Sequence, residues 1–239
     1  MAKDALAPSP ANKNLKLERI MLKNLLYTAL ILAPLVVLGN IPSGAQVREA
    51  VGAVTKTDVA VSVYGAFNGT TNGNGTTQSP SNAAGGIVEV RHIVNPLIGY
   101  EGTYSFNRAN QTYNPSNQVC PVDATPPCNN APAAVSADAH EVTGNWVASI
   151  KFANLRPFAL AGGGLLFNQP SGGQVNTTSS TKGVFDYGAG LDWGVLPHLG
   201  LRFQYRGNLY KAPDLTKLYT STGAFTHTSE PMIGVYFRL

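Results

Sequence analysis

Residues 185–209 read FDYGAGLDWGVLPHLGLRFQYRGNL, and this stretch decides the fold. From Phe185 to Val195 the odd-numbered residues are apolar or aromatic, and the even-numbered ones are Asp or Gly. After Pro197 the alternation resumes, with Leu, Phe and Tyr on one parity and Arg, Gln and Asn on the other. A period of two is that of a β-strand whose faces meet different surroundings. The stretch therefore predicts two antiparallel strands joined by a tight turn.

Five further segments alternate in the same way. Their apolar faces are formed by Val59, Val61, Val63 and Phe67; Val88, Val90 and Val94; Ile98, Tyr100, Tyr104 and Phe106; Val142, Trp146, Ala148, Ile150 and Phe152; and Ile233, Val235, Phe237 and Leu239. An eighth segment, 158–167, has apolar residues on both parities around Gly162–Gly164, so the alternation does not show which of its faces points inward. The sequence thus predicts eight strands.

The composition favours one all-β domain. Only 13% of the 239 residues are charged, whereas Gly, Asn, Ser, Thr and Tyr are plentiful, which is typical of short strands joined by turns. Part of the net charge of +4 comes from Lys13, Lys16, Arg19 and Lys23. Because we expect this segment to be removed, the charge gives little support to nucleic-acid binding.

The N-terminal segment has the order of a secretory signal peptide: basic residues, an apolar run and small residues. The run 25–38 is about 14 residues long and contains Pro34, whereas a spanning helix needs about 20. Ser43 and Ala45 fit a cleavage site, although a retained membrane anchor remains the alternative. We expect a signal peptide at 1–45, a short periplasmic lead at 46–57 and a barrel at 58–239.

The connections between the eight segments alternate strictly in length. Short ones lie at 95–96, 154–157 and 197–198, and long, polar ones at 69–85, 108–137, 169–181 and 211–226. Short turns at one rim and long loops at the other are the arrangement of outer-membrane barrels. An exported β-sandwich is the alternative architecture, since a soluble sheet also alternates.

The aromatic residues of the apolar faces fall into two bands, as expected at the two interfaces of a membrane. Phe67, Phe106, Phe185, Tyr187 and Tyr205 fall near the long-loop rim, and Phe152, Phe158, Trp193 and Phe237 near the short-turn rim. The sequence therefore predicts an eight-stranded antiparallel up-and-down transmembrane β-barrel, with short periplasmic turns and long extracellular loops, in the outer membrane of a Gram-negative-type bacterium.

The chain resembles the small eight-stranded outer-membrane barrels, such as the transmembrane domain of outer membrane protein A, over residues 58–239. The resemblance is most specific in the terminal strand 232–239, MIGVYFRL. There Gly234 and Phe237 stand in register with the family's assembly signal, although Leu239 replaces the usual final Phe. The resemblance implies insertion by the outer-membrane assembly machinery.

The charged residues of the inward faces are nearly balanced in sign. They are Glu89, Glu101, Glu141, Asp186, Asp192 and Glu230 against Arg91, Lys151, Arg202, Arg206 and Arg238. Eight strands enclose an interior just wide enough for side chains to fill, so we expect an ion network that closes the lumen. A small or gated porin-like channel is the alternative.

Two further features concern single residues. Cys120 and Cys128 share one long loop of an exported chain, which favours a disulfide between them. The segment 225–230, FTHTSE, is similar to the Phe-x-His-x-Ser-Asn element of outer-membrane lipid A deacylases, with Glu230 in place of Asn. That resemblance implies His227 as base and Ser229 as nucleophile of a lipid hydrolase.

The function that the sequence favours is non-enzymatic: a structural role, a surface-interaction role through the exposed loops, or both. We expect a monomer in contact with outer-membrane lipids, without cofactor, metal or nucleic acid. An extracellular ligand at the loops is the partner that the sequence leaves open, because the loop composition is generic.

Overall fold

A computed structural model describes residues 57–95, 97–115, 132–171, 174, 176–219 and 221–239. The predicted signal peptide at 1–45, nearly all of the lead at 46–57, and both Cys120 and Cys128 lie outside these residues. Among the described residues, no helix is long and apolar enough to span a bilayer.

The described residues form ten β-strands. They are β1 (Thr57–Asn68), β2 (Thr71–Gly73), β3 (Thr76–Pro80), β4 (Ala83–Ile93), β5 (Ile98–Pro115), β6 (Ala133–Ser149), β7 (Leu155–Pro170), β8 (Ser180–Gly194), β9 (Leu199–Lys211) and β10 (Phe225–Arg238). Eight of them, β1 and β4 to β10, pair with their neighbours in one antiparallel sheet. The sheet closes on itself where β1 pairs with β10 and β5 pairs with β6.

The two faces of the closed sheet differ as the alternation predicts. Even-numbered residues of β1, β8, β9 and β10 point inward, as do odd-numbered residues of β4, β5 and β6, and most of these side chains are buried. The opposite parity faces outward and is mostly aliphatic or aromatic; Val63, for example, is 63% exposed and Trp146 is 58% exposed. The outer face of the sheet is thus apolar and its inner face is polar and charged, which is the reverse of the distribution in a soluble protein.

Strand β7 corrects two expectations. The second short turn was expected at 154–157, but β7 begins at Leu155, and Arg156 already points into the barrel. Phe158, expected in the outward aromatic band, is 5% exposed and points inward. The reason is that the even-numbered residues of β7 face the lumen, so Phe158 shares a face with Arg156.

The strands at the long-loop rim extend further than the sequence indicates. Residues 108–115 of β5 and 133–137 of β6 continue the strands above the aromatic band at Phe106, in the region 108–137 that was expected as loop. The hairpin of β2 and β3 lies within the first long connection. In it, β3 pairs antiparallel with the end of β5, from Thr76 opposite Pro115 to Pro80 opposite Gln111. Among the described residues, β-structure therefore extends well into the long connections of the outer side.

Two glycines of β7 allow it to pack tightly against β6. A Cβ atom at Gly162 would collide with the Asn145 side chain and the Gly144 carbonyl, and one at Gly164 would collide with the Val142 carbonyl. Both glycines occupy inward positions, where a side chain would also compete for space in the lumen. This close approach explains why residues 158–167 lack a clear apolar parity.

We predict that Gly164→Ala lowers the free energy of unfolding by about 1–3 kcal/mol, because the backbone of β6 must move to admit the methyl group. The control is Gly183→Ala on β8, where an added Cβ meets no atom within 4 Å. Graded urea unfolding in detergent, followed by the gel shift between folded and boiled protein, measures both variants. Equal unfolding midpoints would contradict the tight packing of β7 on β6.

Candidate functional site

Eleven ionisable side chains fill the interior of the barrel, and we call them the lumen network. They are Asp58, Glu89, Arg91, Glu101, Glu141, Arg156, Asp186, Asp192, Arg202, Arg206 and Glu230, and each is buried. Inward positions at the same height on neighbouring strands bring these residues together. The network has a lower part, on the short-turn side, and an upper part, on the long-loop side.

Asp192 on β8 is the centre of the lower part. Arg202 Nε donates to Asp192 Oδ1 at 2.7 Å, and Arg156 Nη2 donates to Asp192 Oδ2 at 2.7 Å. Arg91 Nη1 lies 3.3 Å from the same Oδ2 atom. Asp192 and its three cations thus connect β4, β7, β8 and β9, and the pairing of Arg156 with Asp58 adds β1.

Arg91 is held from two further sides. Its Nε donates to Glu101 Oε2 at 2.7 Å, and its Cζ lies 3.8 Å from the centroid of the Phe158 ring. Cation–π attraction is strongest where both groups are desolvated, as they are here. The ring of Phe158, which points inward, therefore packs against the guanidinium group of Arg91 in the lower part of the network. Arg202 Nη1 reaches Glu89 Oε2 at 3.4 Å and completes this layer.

Arg206 on β9 is the centre of the upper part. Its Nη2 donates to Asp186 Oδ2 at 2.7 Å and to Glu141 Oε1 at 3.0 Å. Asn145 Nδ2 donates to the same Asp186 oxygen at 3.0 Å, and Asn208 Nδ2 donates to Glu141 Oε2 at 3.1 Å. Charge-assisted bonds of this kind hold buried carboxylates that would otherwise be costly to desolvate.

The structure brings together nine of the eleven charged residues that the sequence assigned to the lumen. They are Glu89, Arg91, Glu101, Glu141, Asp186, Asp192, Arg202, Arg206 and Glu230. Arg238 lies at the lower rim, where its side chain is 27% exposed and its Nε is 3.5 Å from Asp58 Oδ1. The expectation that Lys151 points into the lumen is wrong, because Lys151 lies two residues beyond Ser149, the last residue of β6, and is exposed.

Sequence reasoning missed Asp58 and Arg156. Asp58 is the second residue of β1 and directly precedes Val59, the first residue of the apolar face assigned to that segment. Arg156 was assigned to the short turn at 154–157. A signal was available, since Arg156 has the same parity as Gly162 and Gly164, the small residues that suit a crowded interior.

The last long connection, residues 212–219 and 221–224, crosses the upper mouth of the barrel, and we call it the cap. Its Leu215 is fully buried in a cluster with Tyr113, Val135, Ala137 and Tyr219. Leu215 O accepts a hydrogen bond from Thr178 N at 3.1 Å. The cap therefore packs on the extended part of β5 and β6 and also bonds the connection between β7 and β8.

Tyr113 anchors the cap by hydrogen bonds. Its hydroxyl donates to the Pro213 carbonyl at 3.0 Å and accepts from Leu215 N at 3.0 Å. Gln78 Nε2 on β3 donates to the same Pro213 carbonyl at 3.0 Å. Tyr113 lies above the aromatic band, outside the membrane-spanning part of β5, and burial raises its pKa to about 12. The hydroxyl thus keeps its proton at any physiological pH.

A small polar cavity of about 30 Å³ lies above the upper part of the lumen network, and inward residues of the barrel strands line it. Glu141, Glu230, Asn168, Asn208 and Tyr210 are among its lining residues. A volume of this size suits one or two ordered water molecules and is too small for an organic solute. The cavity is therefore a gap in the packing and not a binding pocket for a nutrient.

The predicted hydrolase pair lies on the outer surface of β10. Ser229 Oγ is 3.5 Å from His227 Nδ1, at the limit of a hydrogen bond, while Tyr205 OH lies closer to Ser229 Oγ, at 3.0 Å. The second ring nitrogen of His227 contacts Tyr187 OH at 3.0 Å. A phenol therefore occupies the place where a triad carboxylate would orient the imidazole.

The terminal strand closes the barrel. Gly234 pairs with Ser62 across the seam, and a Cβ atom at Gly234 would collide with the Ser62 hydroxyl and the Val61 carbonyl. Phe237 and Leu239 are exposed on the outer side. The glycine therefore has a packing role at the seam, whatever its role in assembly.

Solved structures with the same architecture include two bacterial barrels. Neisserial surface protein A superimposes with a TM-score of 0.51 and 12% sequence identity, over 77% of this chain and 97% of that one. OprG of Pseudomonas aeruginosa gives a TM-score of 0.50 and 8% identity, over 77% of this chain and 96% of that one. No protein-family model and no curated protein matches the sequence.

Identities this low show a shared fold and nothing finer. The chain is an all-β, eight-stranded, closed antiparallel barrel, which confirms the fold class predicted from the alternation. Its fold is that of the small outer-membrane β-barrels, and its apolar outer face corresponds to the surface that barrels of this fold turn toward lipid.

We predict that Asp192→Ala lowers the free energy of unfolding by about 3–5 kcal/mol, because three buried guanidinium groups lose their shared partner. Lys151→Ala, at an exposed charge outside the network, is the control and changes stability by less than about 0.5 kcal/mol. Urea unfolding in detergent micelles measures both. Similar losses for the two variants would mean that Asp192 does not organise the lower network.

Proposed function

We propose that the protein is a non-enzymatic, non-conducting outer-membrane barrel that presents a folded cap to the exterior. The observation that carries the proposal is that the same molecule fills its lumen with ion pairs and covers its mouth with the cap. A barrel with both features is suited to bracing the membrane and to contacting partners at its outer surface.

The lumen network argues against a steady channel. A solute passing through the barrel has to displace Asp192 or Arg206 from partners at 2.7 Å, in an interior where unpaired charges are costly. Barrels of eight strands also leave little space beyond their own side chains. These facts favour the closed barrel over the small or gated porin-like channel.

The cap favours a surface-interaction role. It bonds the β2–β3 hairpin as well as the connection between β7 and β8, since Thr71 Oγ1 lies 3.0 Å from Thr222 Oγ1, Asn74 Nδ2 donates to Ser221 O at 2.8 Å and Thr178 N donates to Leu215 O at 3.1 Å. A surface that is rigid before binding loses less entropy when a partner binds. An extracellular ligand would therefore meet a prepared surface where these three connections join.

The location and assembly that we propose follow the sequence. Residues 1–45 act as an export signal, residues 46–57 remain as a short periplasmic lead, and the terminal strand with Gly234, Phe237 and Leu239 is the assembly signal. The two cysteines of the second long loop, Cys120 and Cys128, form a disulfide in the oxidising exterior. The folded barrel is a monomer surrounded by lipid.

Conductance across a planar bilayer tests the closed lumen. We predict no steady single-channel steps for the wild-type protein, nor for Leu215→Asp, in which a charge in the buried cluster releases the cap while the lumen network stays in place. The matched control is Leu218→Asp, at a residue of the same loop that is 51% exposed. Trypsin cleavage at Lys217 should be faster only in Leu215→Asp.

Each outcome of this experiment bears on a different part of the proposal. Steps in the wild-type protein would contradict the closed lumen, and steps only in Leu215→Asp would make the cap a gate. The surface role is tested on cells that carry the wild-type protein, the Leu215→Asp variant or neither. Equal adherence of all three to epithelial cells and to abiotic surfaces would contradict that role and leave the structural one.

A further inference from the structure

A chain of hydrogen-bonded polar side chains lies on the outward face of β8, β9 and β10, near the long-loop rim. Tyr187 OH contacts His227 Nε2 at 3.0 Å, and Ser229 Oγ contacts Tyr205 OH at 3.0 Å. Lys211 on β9 is paired with Phe225, the next outward residue above His227 on β10. Together with Lys211, these four residues form what we call the rim patch. None of the five belongs to the lumen network or the cap.

Gly207 shapes the rim patch. It pairs with Tyr187 on one side and Ser229 on the other. A Cβ atom at Gly207 would lie 2.6 Å from Tyr187 Cζ and 2.9 Å from His227 Nε2. The missing side chain thus lets the phenol and imidazole rings lie over the strand at Gly207, and we call this position the notch.

The height of the rim patch indicates what it contacts. Below it the outward residues of the same strands are apolar, as with Phe203 and Ile233, which are 40% and 49% exposed. Hydroxyl and imidazole groups are costly in hydrocarbon but not among lipid headgroups. Lys211 and Phe225 stand above the notch, with Lys211 Nζ 5.8 Å from the Phe225 ring centroid. The patch therefore lies at the headgroup level of the outer leaflet.

A second histidine–tyrosine pair at the same rim provides a comparison. Tyr104 OH contacts His140 Nδ1 at 2.8 Å, but the cation above that pair, Arg108, is neutralised by Asp138 through bonds of 2.5 and 3.0 Å. Within the part of the chain that the structure describes, no carboxylate lies within 4.0 Å of the Lys211 ammonium. Only one of the two clusters thus has a positive charge left for an anion.

We propose that the rim patch binds the phosphate of a phosphorylated glycolipid in the outer leaflet. Lys211 supplies the charge, and the hydroxyl and imidazole groups of the notch supply hydrogen bonds to phosphate and sugar oxygens. The acyl chains lie along the apolar wall below, at Phe203 and Ile233. This inference rests on the proposed placement of the barrel in the outer membrane.

The test measures binding of fluorescent bisphosphorylated lipid A to the full mature chain folded in zwitterionic nanodiscs. We expect Lys211→Gln to weaken binding by about tenfold, the loss of one charge-assisted contact. Arg108→Gln, at the neutralised cluster, is the matched control and changes affinity by less than about twofold. His227→Gln should weaken binding without altering the gel shift of the folded barrel.

Three results would overturn the proposal: equal affinity of Lys211→Gln and the wild type, equal binding of dephosphorylated lipid A, or full displacement by an equal concentration of inorganic phosphate. Fatty acid released by the wild type but not by Ser229→Ala would instead make the patch a catalytic site. The gel shift and the conductance of the same samples report on the proposed function separately. A folded, closed barrel that ignores the lipid therefore refutes this inference alone.

Discussion

The structure depends on one constraint: charged side chains inside the barrel need partners inside, because the outer face of the wall is apolar. A closed sheet satisfies this constraint by its period of two, which sends one residue to the lipid and the next to the lumen. Asp192 and Arg206 show the result, since each is fully buried yet held by several charged or amide groups.

The same constraint made most of the fold predictable from the sequence. Where the residues of one parity are apolar and those of the other are charged or small, as in Phe185–Val195, the inward face of the strand and its register follow directly. β7 was unpredictable for a physical reason, because its inward positions at 162 and 164 need glycine to approach β6, and glycine carries no parity signal. Arg156, which was missed, and Phe158, which was expected on the outer face, both lie on this strand.

The cap was beyond prediction for a different reason. Its contacts join residues far apart in the chain, such as Gln78 with Pro213 and Tyr113 with Leu215, and no periodicity in the sequence indicates these contacts. The composition of the long connections is that of generic polar loops. The rim patch is similar, since His227 and Tyr187 become neighbours only through the register that places Gly207 between them.

The lumen network and the cap close the barrel independently, and this separation has a consequence for function. Releasing Leu215 would leave Glu141 bonded to Arg206 and Asn208, because no cap residue takes part in these bonds. Disrupting the network would leave the cap held by Tyr113 and Gln78. The outer surface can therefore change in sequence without opening the membrane, which is the property that a surface for contacting partners requires.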